Sequence, residues 1–169
     1  MKMESQIQEE IFLKEVNKNI GIIHKVANIY FSNAEDREDV RQEVLYQLWK
    51  SFPAYKGNAK FSTWMYKVAL NTAITYIKKS SKILHKEILS GNYALLVETN
   101  EQAEVNEKLN LLYNAVTTLS SIDKAIMLLY LEDKSYDEIA VITGLTKSNI
   151  SVRLVRIRLA LKEKLKNII

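Results

Sequence analysis

The chain has 169 residues, 47% of them hydrophobic and 26% charged, enough apolar material for one ordinary core or two small ones and unlike a disordered or fibrous chain. It contains no Cys, so disulfides and thiolate metal sites are excluded. Its two His residues, His24 and His85, do not make a zinc site by themselves. No run approaches the roughly eighteen apolar residues of a membrane span, and the opening MKMESQIQEEIF is too acidic for a signal peptide. The expectation is a cytoplasmic protein with no membrane insertion, no metal and no cofactor.

The net charge of +4 is unevenly spread. From Gly144 onward there are seven Lys and Arg against one Glu, and Lys67 to Lys86 holds five Lys and no acid. Glu35 to Glu43 holds five acids against two Arg. Two basic surfaces and one acidic surface follow. One Pro and four Gly leave few chain breakers, and the abundance of Leu, Ile, Lys, Glu and Ala favours an all-α fold.

Residues 6–31 carry apolar positions at helical spacing and predict one or two helices, ended by SNAED, which supplies a break and capping side chains. From Glu38 to Ser51, Val40, Val44, Leu45, Leu48 and Trp49 form one stripe, with Asp39, Gln42, Glu43 and Tyr46 on another face. FPAYKGNAK, with the only Pro and with Gly57, predicts a loop. A long helix then runs from Phe61 toward Lys79. Phe61, Trp64, Met65, Val68, Ala69 and Ala73 point inward, and Lys67, Asn71, Thr75 and Lys78 form a polar, basic stripe.

Periodicity weakens after Ser80, which predicts two small helical domains, 1–80 and 105–169, joined by a linker over 81–104. The second domain begins with a helix through Thr117, and LSSID opens another whose inward positions include Ile126, Leu129 and Tyr130. Ser135 followed by Glu138 is a capping-box pattern opening a short helix that Gly144 ends. Thr146 caps the next helix, in which Ile150, Leu154, Ile157, Leu161 and Leu165 make a buried seam. Helix, tight glycine turn and longer helix is the pattern of a DNA-binding helix-turn-helix. Lys147, Ser148, Asn149, Ser151, Arg153, Val155 and Arg156 are the outward positions that enter or flank a major groove. On pattern alone, a helical hairpin with a solvated basic face remains the alternative.

Two segments, DREDVRQEVLYQLWKSFPAYKGNAKFSTWMYKVALNTAITYIKK and LSSIDKAIMLLYLEDKSYDEIAVITGLTKSNISVRLVRIRLALKEKL, resemble regions 2 and 4 of the extracytoplasmic-function sigma factors. The resemblance spans roughly residues 10 to 80 and 105 to 166, and the ordered pair is far more specific than either motif alone. It implies a promoter-recognition subunit that performs no chemistry. Its partners would be core RNA polymerase, through the clamp helices of the largest subunit and the flap, and promoter DNA, with an anti-sigma factor as a further partner.

Carried over by position, the resemblance gives polymerase contact to Asp39, Gln42, Glu43 and Leu48 or Trp49, while the residue types alone also fit a solvated carboxylate face with a core Trp. It makes Tyr55, Lys56, Gly57, Asn58 and Ala59 a pocket loop for a flipped non-template base. Asn71 becomes a −10 base contact, with Lys60, Lys67, Lys78 and Lys79 on the strand backbone. Region 4 would read the −35 duplex through the outward positions of the last helix. The family's usual Arg before the Asn is Leu70 here, its usual Asp four residues beyond is Thr75, and its common Gly-Thr-Val-Lys reads Ser148-Asn149-Ile150-Ser151. The rival reading is a helix-turn-helix regulator that binds a palindromic operator as a dimer without polymerase. A protein-only adaptor is opposed by the basic last helix, and no Ser/His/Asp set or glycine-rich phosphate loop suggests an enzyme.

Overall fold

The computed structural model describes residues 2–83 and 102–166, and the chain divides into two compact units, Met1–Ile88 and Leu89–Ile169. The expected linker 81–104 lies mostly outside the described residues, as does His85. Every regular element among the described residues is helical.

In the first unit the elements are α1 (Lys2–Lys18), α2 (Gly21–Tyr30), α3 (Ala34–Ser51), a 3-10 turn (Phe52–Ala54) and α4 (Phe61–Ile83). The expected break before α3 is made by Asn33, whose side chain accepts a hydrogen bond from the Asp36 amide at 2.7 Å. Helices α2, α3 and α4 pack on one another. They bury Ile23, Val26, Val40, Val44, Leu48, Met65, Ala69 and Ala73, so the small residues of α4 allow close helix approach. Helix α1 contributes Phe12 and Val16, with Phe12 edge-on to Trp49 and Phe52. Leu70 is buried, which explains an apolar side chain at that position: it faces the core rather than a strand of DNA.

The second unit consists of α5 (Gln102–Thr117), α6 (Ser121–Leu131), α7 (Tyr136–Thr143) and α8 (Lys147–Lys166). Ile126, Leu129, Ile139, Ile150 and Leu154 form its center, joined by Val116, Ile157 and Leu161. The seam of α8 is buried as expected through Leu161, and Leu165 is half-buried. The α6–α7 connection turns through Asp133 at φ 55°, and the Lys134 amide reaches back to the Leu129 carbonyl at 3.0 Å.

Candidate nucleic-acid interface

Helix α3 presents the acidic face. Asp39 and Gln42 are exposed and Glu43 is half-buried, with its carboxylate accepting from Gln47 at 2.8 Å. Glu38 is paired with Arg41 at 2.6 Å, and hydrogen bonds from Arg41 and Gln42 hold its carboxyl below the usual range. The Tyr76 hydroxyl of α4 lies 3.5 Å from Asp39, and partial burial, reinforced by the negative charge of Asp39, raises its pKa. Leu48 has no exposed surface. It continues the Val40 and Val44 row into the core, as its spacing predicts, so of the two residues that the resemblance offers for polymerase contact Leu48 has no surface to give. One residue on, Trp49 is 44% exposed while resting against Phe12 at 5.0 Å between ring centers, so it both packs and offers surface.

The loop after the 3-10 turn is shaped from within. Gly57 takes φ 72°, and the Tyr55 hydroxyl donates to the Ala59 carbonyl at 2.6 Å, closing the loop on itself. The Tyr55 ring sits against Trp64 at 5.0 Å and Phe61 at 5.6 Å, and runs nearly parallel to Phe52. Lys56, Gly57, Asn58 and Lys60 are exposed around this aromatic floor.

Along α4, Lys67, Asn71, Thr75, Lys78 and Lys79 are exposed, opposite the buried Met65, Ala69 and Ala73. Asn71, Thr72, Thr75, Tyr76 and Lys79 line a groove of about 460 Å³, whose other wall is Glu43 and Gln47 of α3. Two expected −10 residues thus share a concave, polar site with one residue of the acidic face.

The helix-turn-helix is built as its capping residues require. Ser135 accepts from the Glu138 amide at 3.2 Å, and the Ser135 amide donates to the Glu138 carboxylate at 2.9 Å. Gly144, at φ 74°, closes α7 with its amide on the Ala140 carbonyl, and Thr146 accepts from the Asn149 amide at 3.2 Å to start α8.

Lys147, Ser148, Asn149, Ser151, Val155 and Arg156 are exposed on α8. Arg153 is half-buried. Its guanidinium donates to Asp123 of α6 at 2.9 Å and to Asn149 at 2.9 Å. Lys147 pairs with Asp137 of α7, and Arg158 lies over the Tyr130 ring at 4.6 Å. Two cations expected on phosphate are therefore already opposite carboxylates of their own chain. Sequence reading missed Asp123 and Asp137 because both partners are remote along the chain. It also passed over Val152, although that residue stands four positions from both Ser148 and Arg156 on the outward side.

Among the described residues no group of three or more His, Asp and Glu is placed to hold a metal ion, and no helix is long and apolar enough to cross a membrane.

Two family models match the chain: Sigma-70 region 2 over residues 16–83, and Sigma-70, region 4 over residues 109–161. The ECF RNA polymerase sigma-E factor of Escherichia coli (strain K12) is 25% identical over 189 aligned residues, covering 99% of each chain. The RNA polymerase sigma-H factor of Pseudomonas aeruginosa is 24% identical, covering 92% of this chain and 84% of its own. Among solved structures, the sigma factor RpoE of Bartonella quintana, in complex with the anti-sigma factor NepR, superposes with a TM-score of 0.76 at 19% identity, covering 93% of this chain and 98% of that one. CnrH, in complex with the cytosolic domain of CnrY, gives 0.67 at 15% identity, with coverage of 94% and 90%. Two sigma-70 regions in this order, on an all-α scaffold ending in a helix-turn-helix, identify the chain as a member of the sigma-70 family and an RNA polymerase sigma factor of the extracytoplasmic-function type.

Proposed function

We propose that this sigma factor divides its work between residues 1–80, which bind core polymerase and open the −10 element, and residues 105–169, which hold the −35 duplex, with 81–104 as the tether. Asp39, Gln42, Glu43 and Trp49 make the polymerase contact on the clamp helices of the largest subunit, and the second domain meets the flap. Tyr55, Lys56, Gly57 and Asn58 receive a flipped non-template base, Asn71 contacts a neighboring base, and Lys60, Lys67, Lys78 and Lys79 hold the strand backbone. Binding drives the opening, with no bond made or broken. Capture of an unstacked base offsets an unpairing cost of a few kcal/mol, and the lysines neutralise the strand.

The observation that carries this reading is the groove on α4, which Asn71 and Lys79 line from positions about two helical turns apart and which Glu43 and Gln47 of α3 close on the other side. The protein works in the cytoplasm, where core polymerase and promoters are. An anti-sigma factor covers the binding faces of the free protein. The relatives RpoE and CnrH, each solved in a complex, motivate that part of the reading, and a pull-down yielding polymerase subunits alone would remove it.

Run-off transcription with core polymerase and fragmented genomic DNA tests the whole. New start sites preceded by shared −35 and −10 sequences are expected, with Asn71→Ala impairing opening and Arg156→Ala impairing −35-dependent initiation. Dimeric binding to a palindrome without polymerase would replace this reading by that of an autonomous regulator.

A further inference from the structure

The outward face of α8 is not the uniformly polar surface its basic composition suggests. Val152 is 48% exposed, Val155 55% and Leu159 62%, spaced three and four residues apart, so they form one stripe diametrically opposite the buried seam. Single exposed apolar side chains are ordinary, but a row of them on one helix face is not. Lys147 and Arg153 stand off this stripe, toward the sides of the buried seam, and are engaged within the chain, Lys147 with Asp137 and Arg153 with Asp123 and Asn149. Ser148 and Arg156 are left to flank the two valines, each one helical turn from Val152.

In the major groove the one apolar group on a base edge is the thymine 5-methyl, whereas guanine offers a pair of acceptors to an arginine. We infer that Val152 and Val155 form a methyl-reading subsite, so that the −35 duplex taken by this protein carries thymine methyls at two positions beside a guanine contacted by Arg156. The inference rests on the assignment of α8 to the −35 duplex. Its occupant is DNA rather than protein because the stripe lies on the helix whose capped N-terminus, glycine turn and basic flank form the helix-turn-helix. Leu159, two turns beyond Val152, lies where the helix leaves the groove and takes no base.

The test uses holoenzyme reconstituted from core polymerase and the full chain. A −35 sequence is selected from DNA randomised upstream of a fixed −10 element, and deoxyuridine then replaces each selected thymine in turn, which removes only the methyl. Loss of one buried methyl is expected to weaken binding about fourfold. That loss should appear at two positions, with Val152→Ala abolishing the response at one and Val155→Ala at the other. Promoter-selective initiation that tolerates deoxyuridine throughout the −35 element, or a selected element without thymine, overturns the subsite and leaves the sigma assignment standing. Failure to initiate selectively at any promoter overturns the DNA-reading role of α8 and the subsite with it. If the two alanine variants lose affinity for core polymerase but keep the deoxyuridine response, the face belongs to a protein partner and the proposal is wrong.

Discussion

Leu48 and Trp49 are neighbors in sequence with different duties, and the difference is a rotation of one residue on α3. Leu48 is fully enclosed, so Leu48→Ala should cost about 3 kcal/mol in urea unfolding, the usual loss for a truncated core leucine. Trp49→Ala should leave most of that stability and instead reduce affinity for core polymerase, as measured by competition against the wild-type protein. Tyr30 supplies a pH dependence. Burial raises the pKa of its phenol far above the ordinary value. The unfolded chain therefore loses this proton near pH ~10 while the folded chain keeps it, so stability is intact below that pH and falls as pH rises above it. Tyr30→Phe should flatten the alkaline fall of the first unit, read as a higher pH midpoint of unfolding. An unchanged slope would assign the fall to other groups.

At the scale of the element, two left-handed residues bracket α7 with opposite chemistry. Gly144 occupies its φ of 74° without a Cβ, and a Cβ added there would meet nothing, so the cost of Gly144→Ala is conformational alone, about 1 kcal/mol. Asp133 already bears that kind of cost at φ 55°, and Asp133→Gly should stabilise the second unit by a similar amount in thermal unfolding.

These local features were the most readable part of the sequence. The capping serine, the glycine turn, the threonine cap and the α8 seam are set by residues within a few positions of one another, and the structure has each of them. The break between α1 and α2 at Asn19–Ile20 has a local signal, Asn17-Lys18-Asn19 followed by Gly21, but the apolar spacing of residues 6–31 fits one helix as well as two. The Arg153–Asp123 pair joins residues thirty positions apart, and the contact of Phe12 with Trp49 joins two separate helices. Such contacts depend on how helices pack, which periodicity alone does not specify. Periodicity puts Leu48 and Trp49 on one apolar stripe and the resemblance offers either for polymerase contact; packing buries Leu48 and leaves Trp49 exposed.

For the whole molecule, two units with separate cores should respond separately to core mutations. Both tryptophans, Trp49 and Trp64, belong to the first unit, whereas helices of both contribute to far-UV circular dichroism. Leu154→Ala should therefore lower the midpoint of part of the dichroism signal and leave the tryptophan fluorescence transition where it was. A joint shift would mean that the units unfold as one.

The ion pairs on α8 also bear on how the protein answers to ionic strength. A phosphate met by a free cation sheds a condensed counterion, and each such contact steepens the fall of affinity with salt by nearly one power. If α8 takes the upstream duplex as proposed, Lys147 and Arg153 come to it already paired with Asp137 and Asp123, and should add little to that slope. Counterion release on the proposed −35 side then rests on Arg156 and the cations that follow it on α8, so its salt dependence should be shallower than the number of Lys and Arg on that helix suggests.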